Sequence, residues 1–322
     1  MKYAMIFSFL LLLVPHEARA LCVNLTFGNV PLLVTFVGSN GGYAVYDSQE
    51  HLQTATFQVR AEAAGATCEY FVTLSTGQSN NFSQRKLSQM TKMLNYNAYV
   101  TSSKSNILKA LPTATQSEVI SGSFPVVVAL TQTNTHHFFW TINRQQIVPA
   151  FGSSYADSNL TLSLYSGLPL LNPTLVTTKT ITFQARVESS VDLSLVESGR
   201  PFDIRETIQL VDFGTLEGGE QRGFDIVVRS NSGFSVTMQS QNHQLLVHRR
   251  SPAIASTVAY NVVFNGGSID LSSGGPVQII AGTGTTPATG TAFPIEFTVG
   301  TLSGDETAGT YSDIINVEVT AN

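Results

Sequence analysis

Tyr155-Ala156-Asp157-Ser158-Asn159-Leu160-Thr161-Leu162-Ser163-Leu164 decides the fold, because Tyr311-Ser312-Asp313-Ile314-Ile315-Asn316-Val317-Glu318-Val319 repeats it near the other end of the chain. In both, a Tyr-x-Asp turn feeds a run of alternating apolar and polar residues. Alternation with period two places apolar side chains on one face of a half-buried β-strand. Two further echoes precede this one in the same order. Phe57-Gln58-Val59-Arg60 and Tyr70-Phe71-Val72-Thr73-Leu74 return as Phe224-Asp225-Ile226-Val227 and Phe234-Ser235-Val236-Thr237-Met238; Leu94-Asn95-Tyr96-Asn97 returns as Val258-Ala259-Tyr260-Asn261. Three ordered echoes imply two copies of one β-sandwich.

Strand signals fill the rest of the chain. Thr56 to Arg60 and Tyr70 to Leu74 alternate, and turn clusters at Gly38 to Gly42, Gly218-Gly219, Gly266-Gly267 and Gly282 to Gly290 separate such runs. Only Ser83 to Leu94 reads as a short helix. The expected class is all-β: two immunoglobulin-like β-sandwiches in tandem. The expected division is a signal peptide over 1–20, an N-terminal domain over 21–166, a linker over 167–179 interrupted by Gly167, Pro169, Asn172 and Pro173, and a C-terminal domain over 180–322.

The leading segment fits export. Lys2 gives a positive start, Ile6 to Val14 an apolar stretch, and Ala18-Arg19-Ala20 a small-x-small cleavage site. Nine apolar residues are too few to cross a bilayer, which takes about 20. Leu21 before Cys22 argues against a lipoprotein anchor, and no other stretch approaches spanning length, so no membrane insertion is expected. Net charge is −5 over 322 residues, with 12% charged, which favours neither nucleic acid nor an anionic membrane. Cys22 and Cys68 are the two cysteines. In an oxidising compartment they are expected to pair, stabilising the fold by about 4 kcal/mol in the chain-entropy model.

Catalytic patterns do not emerge. His136 and His137 are adjacent, so on a strand they point to opposite faces, and His243 and His248 lack an acidic partner at metal spacing. No Gly-x-Ser-x-Gly, His-Glu-x-x-His or phosphate-cradling loop occurs. Asp157 and Asp313 are the same position in two copies and read as turn caps. No cofactor, metal or enzyme activity is expected. Asn24, Asn81 and Asn159 fit the glycan-acceptor pattern, which is common by chance.

Cys22, the run Phe57 to Leu74, Arg85-Lys86-Leu87, Leu94 to Tyr99 and Gly152 to Asp157 together resemble the spore coat U domain of archaic chaperone–usher pilus subunits; the second copy resembles it more weakly through Ala308 to Asp313. The resemblance implies sandwiches lacking a last strand, filled first by a periplasmic chaperone and then by an adjacent subunit, with an outer-membrane usher at the cell surface. The sequence stops after the Tyr311 strand, so the second copy is expected to accept a donor strand along Ile315, Val317 and Val319. Leu168 to Val176 is expected to close the first. The mature chain begins one residue before Cys22, leaving no arm of about ten residues to donate. A pilus-tip adhesin mediating attachment and biofilm formation is therefore expected, with a secreted lectin-like protein or a shaft subunit as alternatives.

One loop differs between the copies. Gly300 to Gly309 is polar, whereas Arg144 to Gly152 carries Ile147, Val148, Pro149 and Phe151. These, with Leu32 and Leu33, are expected to form a water-exposed adhesive end, since exposed apolar patches usually bind. Leu130 to Trp140 is a third apolar candidate that also reads as a strand.

Overall fold

The computed structural model describes residues 22–62, 67–125, 131–169, 171–250 and 257–322. The expected signal segment and Leu130 lie outside them. Two three-residue 3-10 turns, Gly77–Ser79 and Gln116–Glu118, are the only helical elements among the described residues.

Ten strands build the first copy: β1 Val23–Phe27, β2 Leu33–Thr35, β3 Gln53–Glu62, β4 Cys68–Leu74, β5 Arg85–Gln89, β6 Lys92–Tyr99, β7 Ile120–Phe124, β8 Thr131–Ile142, β9 Tyr155–Ser166 and β10 Thr174–Ala185. They hydrogen-bond in the order β1-β3-β8-β6-β5-β9-β10-β2, with β4 on β9 and β7 on β4. After β1, which pairs with β3, the chain crosses to β10 and runs parallel to it as β2, with Leu33, Val34 and Thr35 opposite Thr182, Phe183 and Gln184. Inward residues of β3, Ala55, Phe57, Val59 and Ala61, are buried as their alternation requires. A Cys22–Cys68 disulfide ties the start of β1 to the start of β4.

Ten more build the second: β11 Val191–Val196, β12 Gln221–Ser230, β13 Phe234–Ser240, β14 Leu245–His248, β15 Thr257–Phe264, β16 Gly267–Ile269, β17 Val277–Gly282, β18 Thr291–Val299, β19 Tyr311–Ser312 and β20 Ile315–Ala321. One sheet runs β11-β12-β18-β15-β14-β19 with β16 on β15; the facing sheet is β17-β13-β20.

Two sequence expectations need correction. Ser83 to Leu94 holds no helix: β5 and β6 form a hairpin turning at Met90, whose φ is +52°. Helix formers populate it, but Arg85, Leu87 and Leu94 are buried by period two, and tertiary burial overrides propensity. Residues 174–179 are no linker either. They belong to β10, which pairs with β9 from Ser166 to Tyr155. The first core continues to Val187 and the second sandwich starts at Val191, so the connection contracts to Glu188–Ser190.

Buried tyrosines make the first core sensitive to base. Burial pushes the hydroxyls of Tyr43, Tyr70 and Tyr155 up to about 12. An unfolded tyrosine releases its proton near pH ~10. Stability is therefore fully present below pH ~10 and lost as pH climbs toward ~12. The fluorescence of Trp140, the chain's single tryptophan and fully buried, reports this: its urea midpoint should fall steadily above pH ~10. A flat midpoint there would refute the linkage.

Candidate strand-acceptor groove and interdomain joint

Each Tyr-x-Asp turn is held the same way. In the first copy Tyr96 Oη donates to Asp157 Oδ2 at 2.9 Å, and the backbone N–H groups of Gln78 and Asn159 donate to Oδ1 at 3.3 and 3.1 Å. Gly77 is required here: its φ is +66°, and a Cβ would lie 2.0 Å from Asp157 Oδ2. In the second copy Tyr260 Oη and Ser240 Oγ donate to Asp313 Oδ2 at 2.5 Å, and Asn242 N–H to Oδ1 at 3.0 Å. Burial raises the Asp157 pKa, against the opposing pull of the Tyr96 hydrogen bond. The tyrosines are themselves an echoed pair, so each carboxylate anchors its own sandwich.

After these matching turns the copies diverge. β9 has β10 along its length. β20 pairs with β13, from Ser240 opposite Ile315 to Phe234 opposite Ala321, and among the described residues nothing pairs with its other edge. Ile315, Val317 and Val319 are half-buried, packed on the second core from its rim. The two cores differ accordingly. Among the described residues, thirty-three buried apolar residues in the first have 6 half-buried neighbours, while 12 in the second have 14. The second core is thus less completely covered than the first, and Ile315, Val317 and Val319 of β20 are among its half-covered residues.

A further half-covered segment of the second copy was not read from the sequence. After β11, residues 207–213 make no backbone hydrogen bond among the described residues. Leu210-Val211-Asp212-Phe213 repeats the Leu33-Val34-Thr35-Phe36 pattern of β2. In the first copy Val34 and Phe36 are 8% and 2% exposed beneath β10; Val211 and Phe213 remain half-buried. Ile208 and Leu210 are 82% and 81% exposed. The second copy thus has a counterpart of β9 and a stretch that repeats the sequence of β2, and no counterpart of β10 among the described residues.

The expected adhesive residues separate. Leu32 and Leu33, 66% and 54% exposed, lie at the β2 edge. Ile147, Val148, Pro149 and Phe151 do not form an exposed end with them, and this corrects the sequence reading. Val148 is buried; Ile147, Pro149 and Phe151 are half-buried. Phe151 stacks on Tyr155, whose hydroxyl donates to Pro149 O at 2.9 Å. Ala150 N–H donates to Asn231 O at 3.0 Å, and Asn231 Nδ2 donates to Val148 O at 3.4 Å and to Glu188 O at 2.7 Å. The apolar loop meets the second sandwich, so its partner is internal. Val148→Asp should therefore cost about 3 kcal/mol or more by burying an unpaired carboxylate, seen as a lower Trp140 urea midpoint. An unchanged midpoint would return Val148 to solvent.

At the opposite end of the first sandwich, where β9 hands over to β10, Leu171 and Leu175 are each 53% exposed and Val176 is 39% exposed. The signal was available: Gly167-Leu168-Pro169-Leu170-Leu171-Asn172-Pro173 places leucines among turn residues. Reading it as a linker hid it. Phe138 and Trp140 point inward and are fully buried.

The histidines make local contacts. His136 bonds Tyr70 Oη and His137 bonds Thr56 Oγ1, on opposite faces of β8. His248 is 8% exposed and packs edge-on against Tyr311. Ser39, Asp47 and His51 cluster, but Ser39 Oγ and Asp47 Oδ2 both meet the same His51 Nε2, at 3.2 and 3.0 Å. A base relay needs one ring nitrogen for each partner, so this arrangement does not supply one.

Comparison with known proteins gives a family match and several structural likenesses. No curated protein matches the chain. The chain is similar in structure to the complex of the CsuC chaperone and the CsuE tip adhesion subunit from archaic Csu pili of Acinetobacter baumannii, with 12% identity, TM-score 0.43, and 90% of this chain and 99% of that one covered. It is also similar to the CupB6 tip adhesin of Pseudomonas aeruginosa (10% identity, TM-score 0.35, 92% and 95% covered). A third likeness is to CfaE, the adhesive subunit of CFA/I fimbria of enterotoxigenic Escherichia coli (12% identity, TM-score 0.36, 92% and 94% covered). Within the chain, the stretch from β1 into β9, residues 24–161, matches the model of the Spore Coat Protein U domain.

Proposed function

We propose that this chain is the tip adhesin of a chaperone–usher pilus, exported through the periplasm and displayed at the cell surface, where it mediates attachment and biofilm formation. Its first sandwich faces the target, and its second joins the fibre by accepting a strand from the adjacent subunit. A periplasmic chaperone fills the same groove beforehand, and an outer-membrane usher assembles the fibre. The observation that carries this reading is the unpaired edge of β20, whose counterpart β9 carries β10 in the first copy; residues 207–213, which repeat the β2 pattern, are the proposed far wall. An added strand there satisfies free edge N–H and C=O groups and sets alternate side chains on Val211, Phe213, Ile315, Val317 and Val319. Exposed apolar residues of the first sandwich, Leu32 and Leu33 with Leu171, Leu175 and Val176, are the proposed contact with the surface.

Export of the chain with and without a periplasmic pilus chaperone tests this. The expected result is a one-to-one complex with the chaperone and aggregation or proteolysis without it. A monomeric, thermally stable chain purified without chaperone would overturn the reading.

A further inference from the structure

The proposed rims of the groove, β20 and the stretch 207–213 that follows β11, trace to different sheets. β11 hydrogen-bonds to β12, and β20 to β13. β12 and β13 are consecutive and are joined by Asn231, Ser232 and Gly233 alone. Any change in the separation of the rims therefore works on this three-residue connection. The first sandwich grips the chain there. Asn231 is fully buried. Its N–H donates to Ser190 O at 3.1 Å, and its Oδ1 accepts from Ser190 N–H at 2.8 Å. Its amide nitrogen and carbonyl reach Glu188, Val148 and Ala150, as described above. Ser232 Oγ meets Ser189 Oγ at 2.8 Å.

The neighbouring residue pair extends the grip to both rims. The Arg229 guanidinium lies between two rings, 4.3 Å from the Tyr46 centroid on the first sandwich and 4.2 Å from that of Phe202 on the second. Its Nη2 donates to Asp192 Oδ2 of β11 at 2.9 Å. Phe202 lies five residues before the unpaired stretch 207–213. On the other rim, Asn322 N–H, just past β20, donates to Gly233 O at 2.8 Å. β11, which leads toward the stretch 207–213, and the end of β20 are thus each bonded to the joint.

We propose that the groove and the joint are one mechanical unit: a strand seated beside β20 fixes the spacing of the two sheets and, through residues 229–233, holds the first sandwich in one orientation. This rests on the strand-accepting reading above. Filling the groove orders elements that the joint already touches, so ordering at one place lowers the cost of ordering at the other.

The test uses the full chain carrying, after Asn322, a four-residue turn and a copy of its own residues 174–187, whose inward Ile181 and Phe183 supply the apolar side chains. A control copy carries Ile181→Asp and Phe183→Asp. Amide hydrogen exchange reads two places. Slower exchange in β20 reports insertion, and exchange at Ala150, Ser190 and Asn231 reports the joint. The expected result, relative to the control, is that both slow by about tenfold or more. Slowing in β20 with an unchanged joint overturns the coupling and leaves strand acceptance standing; no slowing in β20 overturns both. Asn231→Ala strips three side-chain hydrogen bonds and risks unfolding the joint outright, so Tyr46→Ala is the second variant. It should keep the slowing in β20 while weakening that at Ala150 and Ser190. Equal slowing at the joint in Tyr46→Ala would remove the Arg229 stack from the unit.

Discussion

Val317→Asp combined with Val319→Asp should abolish incorporation of the chain into fibres while leaving its first sandwich folded. Both valines lie on the inward face of β20, half-covered by the second core. An incoming strand would lay apolar side chains over them and exclude water. A carboxylate in such a slot, without a partner, costs about 1–3 kcal/mol by mutational measures and more where no hydrogen bond forms. Two of them would weaken strand uptake by roughly a thousandfold, at tenfold per 1.4 kcal/mol. Surface display and chaperone capture should both fall below detection. The Trp140 unfolding transition should stay where it is, because Trp140 sits in the other core. Glu318→Lys is the control: Glu318 is exposed on the opposite face of the same strand, and it should leave uptake intact. Normal display of the double aspartate variant would eliminate this rim as an acceptor.

The sequence exposed what depends on local periodicity and hid what depends on distant partners. Thr56 to Arg60, Tyr70 to Leu74, Leu160 to Leu164, Phe234 to Met238 and Ile315 to Val319 all lie in strands, because alternation follows from burial on one face. The echoed residues Tyr96 and Tyr260 bond the echoed Asp157 and Asp313, so the duplication could be read before the contacts that justify it. The pair Cys22 and Cys68 needed only the redox argument. By contrast, Ile147 to Phe151 looks like an exposed apolar loop because its cover, Asn231, is some eighty positions away in the other copy. β10 was hidden by Pro169 and Pro173, whose turn signals stop just before it starts. The second groove wall escaped because four residues, Leu210 to Phe213, acquire meaning only once β2 is known to run parallel to β10.

Arg85→Met should destabilise the first sandwich by about 3–5 kcal/mol, the cost of breaking a buried charged network from one side. Arg85 is fully buried and makes no carboxylate contact. Its Nε donates to Ser75 O at 3.0 Å, its Nη1 to Asn97 Oδ1 at 2.7 Å, and its Nη2 to Leu74 O and Leu108 O at 3.2 and 2.6 Å. Burial pushes its pKa down to about 10, against the pull of Tyr96 and Asp157, so it is charged at neutral pH. Methionine fills similar volume but takes away four donors, and although Asn97 Oδ1 keeps the Ala98 N–H, the carbonyls of Leu74, Ser75 and Leu108 lose the guanidinium. The second copy suggests the milder replacement. There Gln244 stands opposite Tyr260 as Arg85 stands opposite Tyr96, with its Nε2 donating to Tyr260 O and its Oε1 accepting from Leu271 N–H, both at 2.7 Å. Arg85→Gln should therefore cost measurably less than Arg85→Met in urea melts followed at Trp140, because an amide still reaches one or two of the acceptors. Equal losses for the two would mean that charge, and not hydrogen-bond satisfaction, fixes this core.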